Sequence, residues 1–222
     1  MPETKHDTTL ATEPQRTSKE PRWPVALAVL AVGGLNTVLP EELSPGPYWL
    51  LLVIVCVLLI PTIISHQTGR HTLNEVLAHV VLAVVTAAMI WSLTMLIVGL
   101  PAHRETPLIL LRSAGALWAA NVLVFGSWYW RLDAGGPNQR DRRKAHSEGA
   151  FLFPQMMIPG KPQGNWTPEF VDYLFLAFNT STAFSPTDVP VLSRWAKVMM
   201  MVQASISLTT VALIAARAVN IL

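Results

Sequence analysis

Eight polar residues in the last quarter of the chain have the side chains that would line an aqueous path through a membrane. Four of them are consecutive, Asn179 to Thr182, and end a short apolar segment. Polar groups without a partner are costly in hydrocarbon, so these four side chains are not all expected to face lipid. We expect them to face protein, a water-filled cavity or the membrane surface. The candidates are Asn179, Thr180, Ser181, Thr182, Asp188, Gln203, Ser207 and Thr210.

Three of these candidates share one helical face in the last apolar run. Gln203, Ser207 and Thr210 follow each other at spacings of four and three residues, and Arg217 continues the same side. One interpretation is a polar stripe that faces a cavity. The other is hydrogen bonding between helices, with Arg217 reaching the membrane surface. The same two interpretations apply to the four consecutive polar residues.

Polar residues also occur inside two earlier apolar runs. Glu75 and His79 are one turn apart and are predicted to form an intramembrane polar pair, or alternatively a solvated pair near the inner interface. Asn121 lies deeper in its run and is expected to bond another helix.

Other kinds of site are not indicated. Cys56 is the single cysteine, and the six histidines show no metal-ligand spacing. The chain has no nucleophile–base pair, P-loop or nucleotide-binding glycine pattern. The basic residues from Arg140 to Lys144 are interpreted as a topology determinant that contacts lipid headgroups, not nucleic acid. We therefore expect no enzyme activity, no catalytic residue, no metal and no cofactor, and the lipid bilayer as the main partner.

The composition indicates an all-α, polytopic transmembrane helix bundle. The 222 residues are 51% hydrophobic and only 14% charged, well below the charge of a soluble domain. Long runs without ionisable residues predict five spans, and a short apolar segment is predicted to span or to re-enter. The five runs are Trp23–Leu39, Pro47–Ile64, Leu73–Leu100, Pro107–Trp130 and Pro190–Leu222, and the short segment is Pro168–Phe184.

Four regions follow from these runs. Residues 1–22 are expected to be a disordered polar tail, 23–130 a four-helix transmembrane region, 131–165 a basic loop and 166–222 a helix pair like a pore loop with its lining helix. Within the basic loop, Phe151 to Ile158 is apolar and is expected to lie on the membrane surface or to pack under the bundle.

Lys and Arg residues predict the orientation. With the N-terminus inside, the connector with Arg70 and the Arg-rich loop both fall inside, as the positive-inside rule prefers. We therefore predict a multi-pass protein of the bacterial plasma (inner) membrane with a cytoplasmic N-terminus.

The last quarter of the chain resembles the pore helix, filter and inner helix of two-span potassium channels. Against the channel signature T-x-T-T-V-G-Y-G-D, the stretch from Thr180 to Asp188 matches at Thr180, Thr182 and Asp188. It is also similar to an uncharacterised group of bacterial multi-span proteins that share D-Y/F-x-x-x-A-F-x-x-x-x-x-F-x-x-x-D-V. The resemblance implies a homo-oligomeric pore for ions or small solutes, with a monovalent cation as a candidate solute.

This chain departs from the channel pattern where the filter glycines stand. Ser185 and Thr187 occupy those positions with Pro186 between them, and the glycines permit backbone angles that other residues resist. A ring of backbone carbonyls is therefore not expected, and a pore would be weakly selective. The alternative is a non-conducting structural or partner-binding membrane protein.

The orientation and the resemblance conflict. A pore loop of the potassium-channel kind enters from outside, whereas the Arg-rich loop before it favours the inside. The short segment must then cross as a sixth span or re-enter from the cytoplasmic side. The fifteen residues from Phe170 to Phe184 would cover about 22 Å as a helix, short of a hydrocarbon core of roughly 30 Å.

Overall fold

The helices account for nearly all the regular structure. A computed structural model describes residues 20–99, 106–142, 149–158, 166–182 and 188–218, and contains no strand among them beyond one isolated bridge. The all-α prediction is confirmed. The helices are α1 Trp23–Asn36, α2 Leu50–Gln67, α3 His71–Gly99, α4 Pro107–Leu132, α5 Pro137–Arg140, α6 Phe170–Thr182 and α7 Arg194–Ala218.

Four of these helices, α2, α3, α4 and α7, are long and apolar enough to cross a membrane. This fits an integral membrane protein, as predicted. The remaining predicted span is represented by α1, which is shorter at 14 residues. Such a helix covers about 21 Å, less than the roughly 30 Å of a typical hydrocarbon core.

The first four helices run up and down through one bundle. The start of α1, the end of α2, the start of α3 and the end of α4 contribute side chains to one shared cavity. These four helix ends therefore lie together, and we call this end of the bundle the base. Asn74, near the start of α3, joins this helix to both α2 and α4. Its Nδ2 donates to the Thr62 carbonyl of α2 at 2.8 Å, and its backbone carbonyl accepts from Arg131 of α4 at 3.1 Å.

Helices α6 and α7 are parallel to each other. Gln203 Nε2 donates to the Ala177 carbonyl at 2.7 Å, and Ser207 Oγ donates to the Ser181 carbonyl at 2.6 Å. The contact advances by four residues along both helices in the same direction, which only parallel helices allow.

Both helices begin at the base. The Phe151 ring lies 6.2 Å from Tyr173 in the first turn of α6 and 6.1 Å from Trp195 in the first turn of α7. Phe151 also forms the isolated antiparallel bridge with Val191. The chain therefore leaves the base along α6 and is back at the base before α7 begins.

Helix α6 follows the second half of α4 in the opposite direction. The Phe170 ring packs on Trp130 at the base, and Ser181 lies beside Asn121 in the middle of α4. The backbone of Leu174 comes so close to Gly126 that a Cβ there would sit 3.2 Å from its Cα. The glycine thus allows α6 to pack tightly against α4.

The region predicted as a basic loop is partly built into the base. Its first residue, Arg131, belongs to α4 and is buried, and Phe151 and Phe153 are buried under the bundle. Of the two positions predicted for Phe151 to Ile158, packing under the bundle holds for these two rings, whereas Met157 and Ile158 are exposed. Residues 143–148 and 159–165 lie outside the described part of the chain.

The tail boundary also shifts. The polar sequence around Glu20 and Arg22 predicts disorder for both residues. In the structure they are held at the base by ion pairs with Arg140 and Asp141, respectively. Polarity alone suggested disorder because the charged partners lie about 120 residues further along the chain. Residues 1–19 lie outside the described residues.

The shared base of α6 and α7 predicts the labelling pattern of single cysteines. With Cys56→Ser as background, Gly149→Cys and Leu192→Cys are expected to react with a membrane-impermeant maleimide from the same side. Glu42→Cys, at the other end of the bundle, is the control and should react only from the opposite side. A sixth span would instead place position 192 on the side of position 42, and that result would contradict the fold.

Candidate functional site

Gln203 of α7 stands at the centre of a buried polar cluster. Its side chain has 0% exposure. Its Nε2 donates to the Ala177 carbonyl at 2.7 Å and to Ser181 Oγ at 2.9 Å, and its Oε1 accepts from Tyr129 Oη at 2.6 Å. One amide therefore joins α7 to both α6 and α4.

Asn121 and Ser207 complete this group, which we call the amide cluster. Asn121 Nδ2 donates to the backbone carbonyl of Gln203 at 3.2 Å and to Ser181 Oγ at 3.5 Å, which confirms that Asn121 bonds other helices. Its Oδ1 is buried and has no hydrogen-bond partner among the described residues. Ser207 donates to the Ser181 carbonyl. The amide cluster consists of Asn121, Tyr129, Ser181, Gln203 and Ser207.

Five of the eight candidate residues are turned into the protein. Ser181, Gln203 and Ser207 belong to the amide cluster. Thr180 and Thr210 are also buried, and each donates to a carbonyl one turn earlier in its own helix, that of Leu176 and that of Ile206. The spacing that predicted a shared face on α7 was correct, since Gln203, Ser207 and Thr210 all have 0% exposure. This face packs on α4 and α6.

Three candidates are turned outward. Asn179 is half-buried, whereas Thr182 and Asp188 are exposed. The Thr182 hydroxyl donates to the Phe178 carbonyl at 3.0 Å. Residues 183–187, which carry the departures from the filter glycines, lie outside the described residues, and so does the side chain of Arg217.

Glu75 and His79 are adjacent on α3, but their contact runs through the backbone. His79 Nδ1 lies 2.7 Å from the Glu75 carbonyl oxygen, and the Glu75 carboxylate accepts instead from Asn138 Nδ2 at 3.3 Å. The His79 ring packs on Trp128, with ring centres 5.9 Å apart.

A second polar cluster at the base was not foreseen. Arg140 Nη2 lies 3.1 Å from both carboxylate oxygens of Glu20, and its Nε 3.2 Å from one of them. Arg140 Nη1 donates to the carbonyls of Trp130 and Asp133 at 2.7 and 2.8 Å. All five guanidinium protons thus have acceptors. We call Glu20 and Arg140 the base ion pair.

Asp133 extends this cluster towards α6. Its carboxylate accepts from Tyr173 Oη at 2.6 Å and from the backbone N–H of Ala150. The Arg140 guanidinium lies 5.4 Å from the Tyr173 ring centre and 5.5 Å from that of Trp130, close enough for cation–π attraction. The base ion pair and Asp133 therefore tie the start of α1, the end of α4 and the start of α6 together.

Burial shifts the pKa of Glu20 in the base ion pair. Removal from water raises the pKa of the Glu20 carboxyl above its ordinary value, while the positive charge of Arg140 and the hydrogen bonds from Trp130 and Arg140 oppose that shift. The charged form of Glu20 thus depends on Arg140.

Sequence reasoning missed Glu20, Tyr129, Asp133 and Tyr173 as members of these clusters. It assigned Arg140 to lipid headgroups, which is wrong for this residue, because Arg140 is buried and pairs with Glu20. Tyr129 gave no signal of its own, since its neighbours Trp128 and Trp130 have the amphipathic rings that are typical of a membrane interface. The pairing of Glu20 with Arg140 left no signal in the spacing, since 120 residues separate them. In the described part of the chain, no three His, Cys, Asp or Glu side chains are grouped to hold a metal ion.

Replacing Gln203 is expected to loosen the bundle. Gln203→Leu leaves Tyr129 Oη without its acceptor and the Ala177 carbonyl without a side-chain donor, so it should lower the free energy of unfolding by about 1–3 kcal/mol. Thermal unfolding in detergent measures this. Ser205→Ala, on the exposed face of the same helix, is the matched control. Equal midpoints for the two variants would show that the amide cluster does not hold the helices together.

Breaking the base ion pair should lower the free energy of unfolding by more than Gln203→Leu does. Arg140→Gln leaves the Glu20 carboxylate buried without a cation and is expected to destabilise by about 3 kcal/mol. The exposed Arg142→Gln is the matched control, again read by thermal unfolding. The double variant Glu20→Gln/Arg140→Gln should recover part of the loss, since it removes the unpaired charge. A double variant no more stable than Arg140→Gln alone would contradict this account.

Comparison with known proteins adds no assignment. No protein-family model, curated protein or solved structure matches this chain. The resemblance to two-span potassium channels therefore stays a prediction drawn from residues 180–188 and the helix that follows.

Proposed function

We propose that this chain is the subunit of a homo-oligomeric membrane pore in which α6 is a re-entrant helix. The observation that carries the proposal is the parallel arrangement of α6 and α7, both of which begin at the base. A helix of 13 residues that enters from one side, followed by a return of the chain to that side and a long apolar helix, is the layout of a pore loop and its lining helix.

The outward face of α6 supplies the polar groups for such a path. Phe175, Phe178, Asn179 and Thr182 stand at helical spacing, and none of them is buried. The face is aromatic near the base and polar at its inner end. Polar side chains that deep are expected to face water or a second subunit instead of lipid.

The amide cluster then has a mechanical role. It holds α6 against α4 and α7, so that the end of α6 keeps a fixed position. Gln203, Ser207 and Thr210 support the path in this proposal, and Asn179, Thr182 and Asp188 line it. Hydroxyl and amide groups discriminate poorly between sodium and potassium, so we expect weak selectivity among monovalent cations.

The distribution of charge favours a cytoplasmic base. Arg70, Arg140, Arg142, Arg194 and Lys197 all stand on segments at the base, whereas the described segments at the other end carry Arg112 and Arg217. The positive-inside rule therefore favours a cytoplasmic N-terminus and entry of α6 from the cytoplasmic side. A bacterial plasma membrane is the expected location.

A non-conducting role in binding a partner is the second candidate. It is favoured by the amide cluster itself, because the chain's own hydrogen bonds occupy Ser181, Gln203 and Ser207. A purified protein that gives no flux, together with a stoichiometric partner recovered by crosslinking in membranes, would support this alternative.

Flux into liposomes tests the pore. Purified protein should pass sodium and potassium at similar rates, and the double variant Asn179→Leu/Thr182→Val should reduce both at least about tenfold, because one desolvated polar contact can contribute more than 1.4 kcal/mol. Thr94→Val is the matched control: Thr94 is exposed on α3, and its hydroxyl donates to the Ile90 carbonyl as that of Thr182 does to Phe178.

Two results would contradict the proposal. One is the absence of flux from a protein that remains monodisperse and oligomeric. The other is flux that the double variant and Thr94→Val change equally, which would remove the outward face of α6 from the path.

A further inference from the structure

A cavity of about 300 Å³ lies at the base where α1, α2, α3 and α4 meet. Its wall is largely apolar and includes Val25, Ala26, Leu59 and Ala78. Trp23 and Ile63, also in the wall, are 66% and 49% exposed, so the cavity opens on the outer surface of the bundle. In a membrane this opening faces lipid near the base.

A buried cation lines the inner end of this cavity. Arg131 of α4 is only 5% exposed, and its one hydrogen bond within the described part of the chain runs from Nη2 to the Asn74 carbonyl. Among the described residues, no carboxylate oxygen lies within the 4.0 Å of an ion pair with it. Glu75, on the neighbouring helix, attracts Arg131 only from beyond this distance, and its carboxylate bonds Asn138. Four of the five guanidinium protons of Arg131 thus have no acceptor among the described residues.

A second guanidinium stands at the same cavity. Arg22 pairs with Asp141 at 2.7 Å, yet its buried Nε has no hydrogen-bond partner in the segments that the structure describes. The cavity is therefore lined by two guanidinium groups, of which Arg22 has its counterion in Asp141 and Arg131 has no carboxylate within ion-pair distance among the described residues. A buried charge without a counterion is strongly unfavourable, and an anion bound here would remove that cost.

We propose that this cavity binds an anionic lipid, with the phosphate on Arg131 and Arg22 and the first part of an acyl chain along the apolar wall. Guanidinium groups bind phosphate through paired hydrogen bonds, and basic pockets between transmembrane helices accept lipid headgroups. A free anion would satisfy the arginines but would make no use of the apolar wall that opens on lipid, whereas an amphiphile fits the whole site. The proposal is independent of the pore, since it involves only α1 to α4.

Native mass spectrometry of the purified full chain tests the site. The probes are phosphatidylglycerol, phosphatidylcholine with the same acyl chains, and inorganic phosphate. We expect selective retention of phosphatidylglycerol, lowered about tenfold by Arg131→Gln because a charge-assisted pair is lost. Arg112→Gln is the matched control, since Arg112 is exposed at the other end of the same helix.

A second variant covers the case in which Arg131→Gln does not fold. Ala26→Phe fills the cavity and keeps both arginines, and it should lower phosphatidylglycerol retention while Arg112→Gln does not. Equal retention of the two lipids, or retention unchanged in Ala26→Phe, would overturn the proposal. Displacement of the lipid by inorganic phosphate alone would assign the site to a free anion and would also overturn it.

Discussion

The structure depends on one constraint: a polar group that leaves water for the interior of a membrane bundle needs a partner there. Gln203 meets this constraint by joining three helices with one side chain, and Ser181 takes part with both its hydroxyl and its carbonyl. These bonds, together with the close packing of α6 on Gly126, fix the positions of α6 and α7. The amide cluster therefore sets where the polar end of α6 comes to rest.

The apolar runs and the helical spacing were readable from the sequence. Hydrophobicity located the helices because lipid acts on each segment separately, and the buried face of α7 followed from spacing alone. The partners of that face were not readable. Tyr129 and Gln203 meet only when α4 packs on α7. Glu20 meets Arg140 only when the residues before α1 and the short helix α5 come together at the base. Hydropathy contains no term for such contacts between distant residues.

The conflict between orientation and resemblance has a structural basis. A potassium-channel-like loop enters from outside, yet the basic segments collect at the base from which α6 and α7 both start. The parallel helices and the basic residues at the base are both compatible with the resemblance if it extends only to the shape of the hairpin. The side of the membrane from which the hairpin enters is then not part of the resemblance. The pattern of Thr180, Thr182 and Asp188 describes a local shape and contains no information on sidedness.

The base ion pair also constrains the order in which the protein can be completed. Glu20 leaves the ribosome 120 residues before Arg140. At ordinary rates of synthesis this separation amounts to about ten seconds. During that interval the carboxylate has water as its partner, and α1 can tilt or slide because nothing yet fixes its start. Once Arg140 has been made it can pair with Glu20, so a residue made late in translation fixes the start of the first helix of the bundle.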